Sequence, residues 1–440
     1  MQARIADHIP PIDLPRNQWS VGTDSALFGI GAYFISVGTV LTSLASYLTD
    51  DKVIIGLVSL AWQAAFLLPQ LLAARIIRGK ARTKPYCVIP IMVLRPFLLL
   101  FPVWLLVTKA ADPTLTVWLL IFSLTMFMLA DSLATAGWFD MLGRIFSPRV
   151  KGRVITISGL ASSVGGIFVG LVVSLILGSE AISFPDNYAY VIILGNVCFT
   201  TSFLFFLRIK ERPAVHVVPI ENRPSANFAS HIVSLVRQDP ALRRMLLVRV
   251  LLAVESMAAA FYIVFARERL QLSDSAVGIF TTAIVIGGLA GTTIFGWIYG
   301  RFGSRRVINF AGTLQFLSPV LALIVSLVAL PGSGLAWLGY GTLFIVMMFN
   351  GATSRSGLLG AMSYAQSLAP STERSAYVGA INTLGGLGAL MPVVGGAIID
   401  ALLGARLGSG AYTVVFAIAS VAVGVGLLAS LRLPHVEQLQ

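Results

Sequence analysis

The strongest constraint on this chain is the recurrence of apolar runs long enough to cross a bilayer. Roughly 20 helical residues at about 1.5 Å rise span a hydrocarbon core of about 30 Å. Runs of that order occupy residues 24–49, 53–76, 86–108, 114–139, 153–178 and 187–208. A polar stretch rich in charge and Pro, from Arg208 to Arg244, interrupts the series, and six more runs follow at 245–266, 276–300, 307–330, 335–360, 376–400 and 411–431. With 57% hydrophobic and only 11% charged residues, 440 residues carry too much apolar surface for one soluble core. The expected fold class is an all-α membrane protein of 12 transmembrane helices. The expected domains are a six-helix bundle at 1–207, a cytoplasmic linker at 208–244 and a second six-helix bundle at 245–440.

Charge placement orients the spans. With both termini in the cytoplasm, 23 Lys and Arg residues fall in cytoplasmic segments and five (Lys52, Lys109, Arg267, Arg269, Arg406) fall outside. The formal charge of +12 therefore belongs to short loops between apolar runs and not to a basic face, so no nucleic-acid partner is expected. The N-terminus, with Pro10, Pro11, Pro15 and mixed charge, lacks the features of a cleaved signal, and the first span is expected to act as its own signal. The expected setting is the plasma or inner membrane, multi-pass, as a monomer. Cys87 and Cys198 fall inside apolar runs without partner spacing, which argues against a disulfide framework and against a metal site.

The halves repeat. Arg78-Gly79-Lys80-Ala81-Arg82 precedes Phe302-Gly303-Ser304-Arg305-Arg306 by 224 residues, and Ser147–Arg153 precedes Ala369–Ser375 by 222. Each match alone is weak. Two at nearly one offset, each in the corresponding loop, indicate two pseudo-symmetric bundles.

The turn GWIYGRFGSRR, Gly296 to Arg306, adds a motif: Gly, three residues, an acid position, Arg, any residue, Gly, any residue and two basic residues. This is similar to the signature loop of the major facilitator superfamily, with Gly300 where the family has Asp. On this resemblance Gly296 and Gly300 are expected to let the helix end approach a neighbour closely. Gly303 would permit a reversal, and Arg301, Arg305 and Arg306 would supply fixed charge. The resemblance covers Arg16 to Leu431. It implies a secondary transporter working by alternating access, with a substrate site near the bilayer midplane. In the family, the acid of the loop after the second span helps hold the cytoplasmic side shut. Here that loop has Arg75, Arg78, Lys80, Arg82 and Lys84, and Ile76 occupies the acid's place. Asp140, at the inner end of the fourth span, is the expected substitute, pairing with Arg75 or Arg78. Glu373 is the alternative.

Ionisable residues inside spans are costly, at about 2.5–3.5 kcal/mol each on insertion scales, and mark function or pairing. Arg95 in the third span and Asp131 in the fourth lie at similar depth and are expected within about 4 Å of each other. Two readings of the pair stay open, a structural tie and a part in the transport cycle. Glu255 sits mid-span in the seventh, with Arg249 six residues away on another face and Arg355 near the inner end of the tenth beyond Asn350. A carboxylate at that depth without a cation can carry a proton. Arg95, Asp131, Glu255 and Asn350 are thus the expected substrate or proton pathway, with a proton or sodium as coupling ion. All four histidines fall in cytoplasmic segments, which excludes an intramembrane His relay or haem ligation. Residues 225–238, with Phe228, Ile232, Leu235 and Val236 at helical spacing, are expected to form an amphipathic surface helix.

Glycines crowd the fifth span (Gly159, Gly165, Gly166, Gly170) and the eleventh (Gly379, Gly385, Gly386, Gly388, Gly395, Gly396, around Pro392). The Gly-Pro motif of antiporters is missing from the fifth span. The direction of transport stays open, and the lack of a sugar-transporter signature favours efflux. A phosphate-cradling GxxxxGK[ST] loop is also missing, which argues against an ATP-driven pump. The expected activity is proton-coupled transport of a small molecule. The alternatives are a transport-inactive receptor or scaffold of the same fold and a membrane enzyme, for which no His, Cys or Ser constellation speaks. No cofactor is expected.

Overall fold

The structure is a computed structural model describing residues 13–67, 69, 76–77, 80–211, 213, 234–328, 336–370, 377, 380–381, 385–405, 408 and 410–434. Arg75, Arg78, Glu373 and residues 214–233 lie outside these, as does the side chain of Arg355. Among the described residues nine helical runs are long and apolar enough to cross a membrane, and Lys52–Leu67 is a shorter apolar helix. One of the nine, Ser275–Val328, has 54 residues, about 80 Å at helical rise, and therefore makes two spans. Gly303, at φ 75° and ψ 177°, turns the chain between them, a conformation that a side chain would strain. With Ala336–Leu368 as the tenth, the spans number twelve.

Helix ends follow local chemistry. The Asp112 carboxylate accepts from Leu115 N at 2.9 Å and precedes Pro113, while Asp239 accepts from Ala241 N and Leu242 N at 2.8 and 3.2 Å and precedes Pro240. Both are N-caps followed by a proline that forgoes an unneeded donor. Three spans are broken, the third span of the chain beside Pro96. The first divides at Ile35–Ser36 into Leu14–Phe34, a π-helical Val37–Leu41 and Thr42–Leu48. The third divides at Arg95, between Lys84–Leu94 and Pro96–Thr108. The seventh divides into Pro240–Ala253, Glu255–Ala259 and Tyr262–Leu270.

The chain forms two compact units, one of residues 1–36 and 61–222, the other of residues 37–60 and 223–440. In the first unit the opening helix packs on the fifth and sixth spans, and the third packs on the fourth. Val21, Cys87, Ile91, Met141, Leu142 and Phe206 are buried together there. In the second unit, Leu242, Met245, Leu252, Tyr364, Ile381 and Val423 form a core that Leu235 and Val236 also join. Of the expected 225–238 surface helix, residues 234–238 are described and helical. Lipid tails are as apolar as leucine, so close contact must supply much of the cohesion. The eighth and tenth spans show this. A Cβ on Gly287 would meet the Met348 carbonyl, and one on Gly351 would meet the Ile284 carbonyl, so each backbone lies against the other.

Candidate functional site

In the first unit the break in the third span places Arg95 beside the fourth. Its Nε and one terminal nitrogen both donate to Asp131 Oδ1, at 3.1 and 2.6 Å. The guanidinium lies between two aromatic rings, 5.3 Å from the centroids of both Phe28 and Phe127. The side chains of Arg95 and Asp131 are 15% and 8% exposed, so this pair is largely removed from solvent and lipid alike. Charge-assisted bonds and two ring faces together fix the cation's plane. The expected Arg95–Asp131 contact is therefore present.

A third charge adjoins the pair. Asp24 is buried on the first helix, accepts from Ser202 Oγ at 2.6 Å and interacts electrostatically with both Arg95 and Asp131. Of the two carboxylates near the guanidinium, Asp131 is the one bonded to it, and Asp24 is held by Ser202. Sequence reasoning passed over Asp24 because it stands at the edge of the first apolar window, where charge is usually assigned to water. The signal that could have found it was a continuous helical pattern upstream to Leu14.

In the second unit Glu255 opens the middle segment of the broken seventh span and is buried. Its partner is neutral: Asn350 Nδ2 donates to Oε1 over a long 3.4 Å. The buried Tyr262 hydroxyl interacts electrostatically with the same carboxyl. Ser256 holds the break in place by donating to the carbonyls of Ala253 and Gly388, both at 2.8 Å. Arg249 turns away to the eleventh span, where a Cβ on Gly385 would lie 2.9 Å from its Nε. Glu255 and Asn350, separate in the sequence reading, are brought together. The Arg95–Asp131 pair belongs to the other unit.

At the basic turns, Gly303 reverses the chain as expected. Gly296 and Gly300 differ from expectation: a Cβ on either would meet nothing within 4 Å, because both sit on an exposed face of the eighth span. Arg301 lies over the Trp297 and Phe302 rings at 6.0 and 5.8 Å, Arg305 donates to the Leu431 carbonyl at 2.5 Å, and Arg306 is exposed. Asp140 pairs with Arg144 one helical turn on, at 2.6 Å, and its expected partners Arg75 and Arg78 lie outside the described residues.

The acid that holds the loop after the second span, among the described residues, is Glu211, at the end of the sixth. Its two oxygens accept from Thr83 N at 2.6 Å, Thr83 Oγ1 at 2.8 Å and Lys84 N at 3.0 Å, capping the third helix. Arg144 donates to the Ala81 carbonyl at 2.8 Å and the Lys80 carbonyl at 3.3 Å, tying the loop to the fourth span as well. Nearby, the Lys210 ammonium bonds to Asp13 and holds that carboxyl below the ordinary carboxylate range. The described residues contain no cluster of three or more metal-ligating side chains.

Solved structures share this arrangement. A mutant form of the nucleoside transporter NupG matches with a TM-score of 0.69 at 13% identity, over 95% of this chain and 100% of that one. A bacterial homologue of the iron transporter ferroportin gives 0.65 at 13%, over 96% and 99%. A D-xylose-proton symporter gives 0.64 at 13%, over 93% and 96%. At such identity these likenesses speak for the fold alone. No curated protein matches the chain in sequence. The sequence profile described as Major Facilitator Superfamily matches residues 25–391, a span that holds the broken third and seventh helices, the Arg95–Asp131 pair, Glu255 and the Gly303 turn. With most of its length inside that profile and twelve spans in two units, the chain belongs to the major facilitator superfamily of transporters.

Proposed function

We propose that the protein moves a small molecule across the cytoplasmic membrane by alternating access, coupled to protons, with both termini in the cytoplasm. The observation that carries the coupling is Glu255. It is a buried carboxyl whose hydrogen-bond partner is the amide of Asn350 and which no described cation contacts. A permanently ionised carboxylate would be expected to have a cation, because an unpaired buried charge is costly. A group that alternates between protonated and ionised forms is better served by a neutral amide, which can accept from one form and donate to the other. The break in the helix at Glu255 supports the same reading, since an interrupted helix at depth frees backbone groups for a passing ion or substrate.

Asp24, Asp131 and Arg95 offer a second place for a proton, because two buried carboxylates near one guanidinium are balanced when one of them is protonated. Sodium is the other candidate coupling ion, and efflux is favoured over uptake for want of a sugar-transporter signature. The test is flux in proteoliposomes with an imposed pH gradient, screened over a panel of small molecules. The wild-type protein should accumulate or expel a substrate in response to the gradient, and Glu255→Gln should transport it only down its own gradient. Gradient-driven transport that survives in Glu255→Gln would remove Glu255 from the proton pathway.

A further inference from the structure

Arg249 is a charge without a counter-charge. It stands in the seventh span, about 14 Å along the helix from Pro240. Its Nε is enclosed and has no hydrogen-bond partner, and no charged side chain among the described residues acts on the guanidinium. The two terminal nitrogens, unlike Nε, are not closed off, and the side chain keeps some accessible surface. Comparable arginines are matched. Arg95 has Asp131, Arg144 has Asp140 at 2.6 Å, and Arg267 has Asp274 at 3.9 Å together with the Ser46 hydroxyl. The acids nearest to Arg249 along the helix are already engaged. Asp239 caps the helix start and accepts from the Tyr377 hydroxyl at 2.6 Å, and Glu255 accepts from Asn350. An arginine does not relieve such a position by giving up its proton, as a lysine can. An unpaired ion within a span lowers stability and marks a site that a ligand can complete.

The wall beside the guanidinium is bare backbone. A Cβ on Gly385 of the eleventh span would stand 2.9 Å from Nε, 3.4 Å from Cγ and 3.5 Å from Cζ of Arg249. A Cβ on Gly388 would stand 2.7 Å from that of Ala253, and the Gly388 carbonyl accepts from Ser256. Arg249, Ala253 and Ser256 therefore form one face of the seventh span, laid against glycines. The eleventh span is irregular at the same place, where Gly386–Leu390 is a 3-10 turn, an interruption that often marks a functional segment. Closer to the helix start, Arg243 and Arg244 are exposed, and residues 240–254 contain no acid. Three positive charges in succession draw anions and repel cations.

We propose that Arg249 is the recognition group for an anionic substrate, a small compound carrying a carboxylate or a phosphate, whose oxyanion supplies the counter-charge that the folded chain does not. Two oxygens of such a group match the parallel N–H bonds of the guanidinium fork. This rests on the transporter reading and names a substrate class for it. Its test reads binding to the protein at rest, so failure here and loss of gradient coupling in Glu255→Gln are separate results.

The measurement is the unfolding midpoint of the full-length protein in detergent at fixed ionic strength. Part of the sodium chloride is replaced by inorganic phosphate, acetate, succinate or benzoate on the order of 10 mM, with uncharged glycerol as the reference. At least one oxyanion should raise the wild-type midpoint by about 2–6 °C, and the stronger of phosphate and carboxylate names the class. Arg249→Gln should abolish that rise. Arg249→Lys should keep part of it, as a point charge without the fork, and Arg432→Gln, at an exposed arginine, should keep it whole. A general salt effect of phosphate would survive in Arg249→Gln, which separates it from binding at the site. Without added oxyanion, Arg249→Met should hold or raise the midpoint, because it removes an unpaired charge, whereas loss of a guanidinium that ties helices together would lower it. No rise with any oxyanion in the wild type, an equal rise in Arg249→Gln, or a lower midpoint in Arg249→Met would each overturn the proposal.

Discussion

Replacing Asp131 in three ways separates what its charge does from what its shape does. Asp131→Ala leaves a guanidinium buried between Phe28 and Phe127 without its counter-ion, a loss of about 3–5 kcal/mol for a broken buried pair. The low end applies, because the Arg95 side chain is 15% exposed and Asp24 is near enough to take part of the charge. Asp131→Asn is milder. Both bonds from Arg95 go to a single oxygen, and an amide oxygen can accept both, so only the charge assistance is lost, about 1–2 kcal/mol. Arg95→Met with Asp131→Leu removes both charges of the pair, leaves Asp24 with its bond from Ser202 and keeps a flexible apolar chain against the two rings, and such replacements of buried pairs are often close to neutral. For a unit of this size each kcal/mol moves the unfolding midpoint by about 2–4 °C. Unfolding in detergent at one fixed heating rate should therefore show Ala lower by roughly 6–12 °C, Asn by roughly 2–8 °C and the apolar pair within about 4 °C of wild type. If Ala is no worse than Asn, or the apolar pair is as unstable as Ala, then Asp131 does not neutralise Arg95 and the argument is wrong.

Glu211→Gln should cost about 1–2 kcal/mol, the scale of a charged cap, seen as a lower midpoint and faster proteolysis in the 80–84 loop. Gly351→Ala should prevent the eighth and tenth spans from seating, and a monodisperse variant of wild-type midpoint would contradict the packing described. Asp140→Asn removes a partly exposed pair one helical turn long, and its stability should stay within about 0.5 kcal/mol of wild type, a midpoint shift of about 2 °C at most.

The fold was legible because the bilayer imposes length. Windows near 20 apolar residues, a positive-inside count and two repeats at one offset identify a twelve-span chain without any side-chain geometry. The Arg95–Asp131 pair was legible for a related reason: a charge deep in a span needs a partner, and only one opposite charge stood at matching depth on the next span. Glu255 was found by the same cost, but its link to Asn350 was not, since pairing across spans three positions apart in order has no counterpart in spacing. Gly296 and Gly300 were read from a motif as contact glycines, although motif membership does not say which face a helix turns inward. Gly287 and Gly351 do make a close contact, and Gly287 lay in a Gly-x-x-x-Gly of ordinary appearance with Gly291.

What the sequence concealed has a common position. Asp24, Lys52, Glu211, Glu268 and Asp400 each stand at or near the edge of an apolar window, where a charge is by default given to water. In the folded chain Asp24 lies within a helix, but the other edges are where helices begin and end, and a helix start presents unpaired N–H groups that a carboxylate from elsewhere can take up. Glu211 does so for the third span and Asp400 for the second. The difference between them is one of distance along the chain. Glu211 and the helix it caps come from one half of the sequence, whereas Asp400, in the eleventh span, caps the start of the second, 348 residues earlier. No spacing rule links a carboxylate to a helix start that far away, so that pairing appears only when the chain is folded.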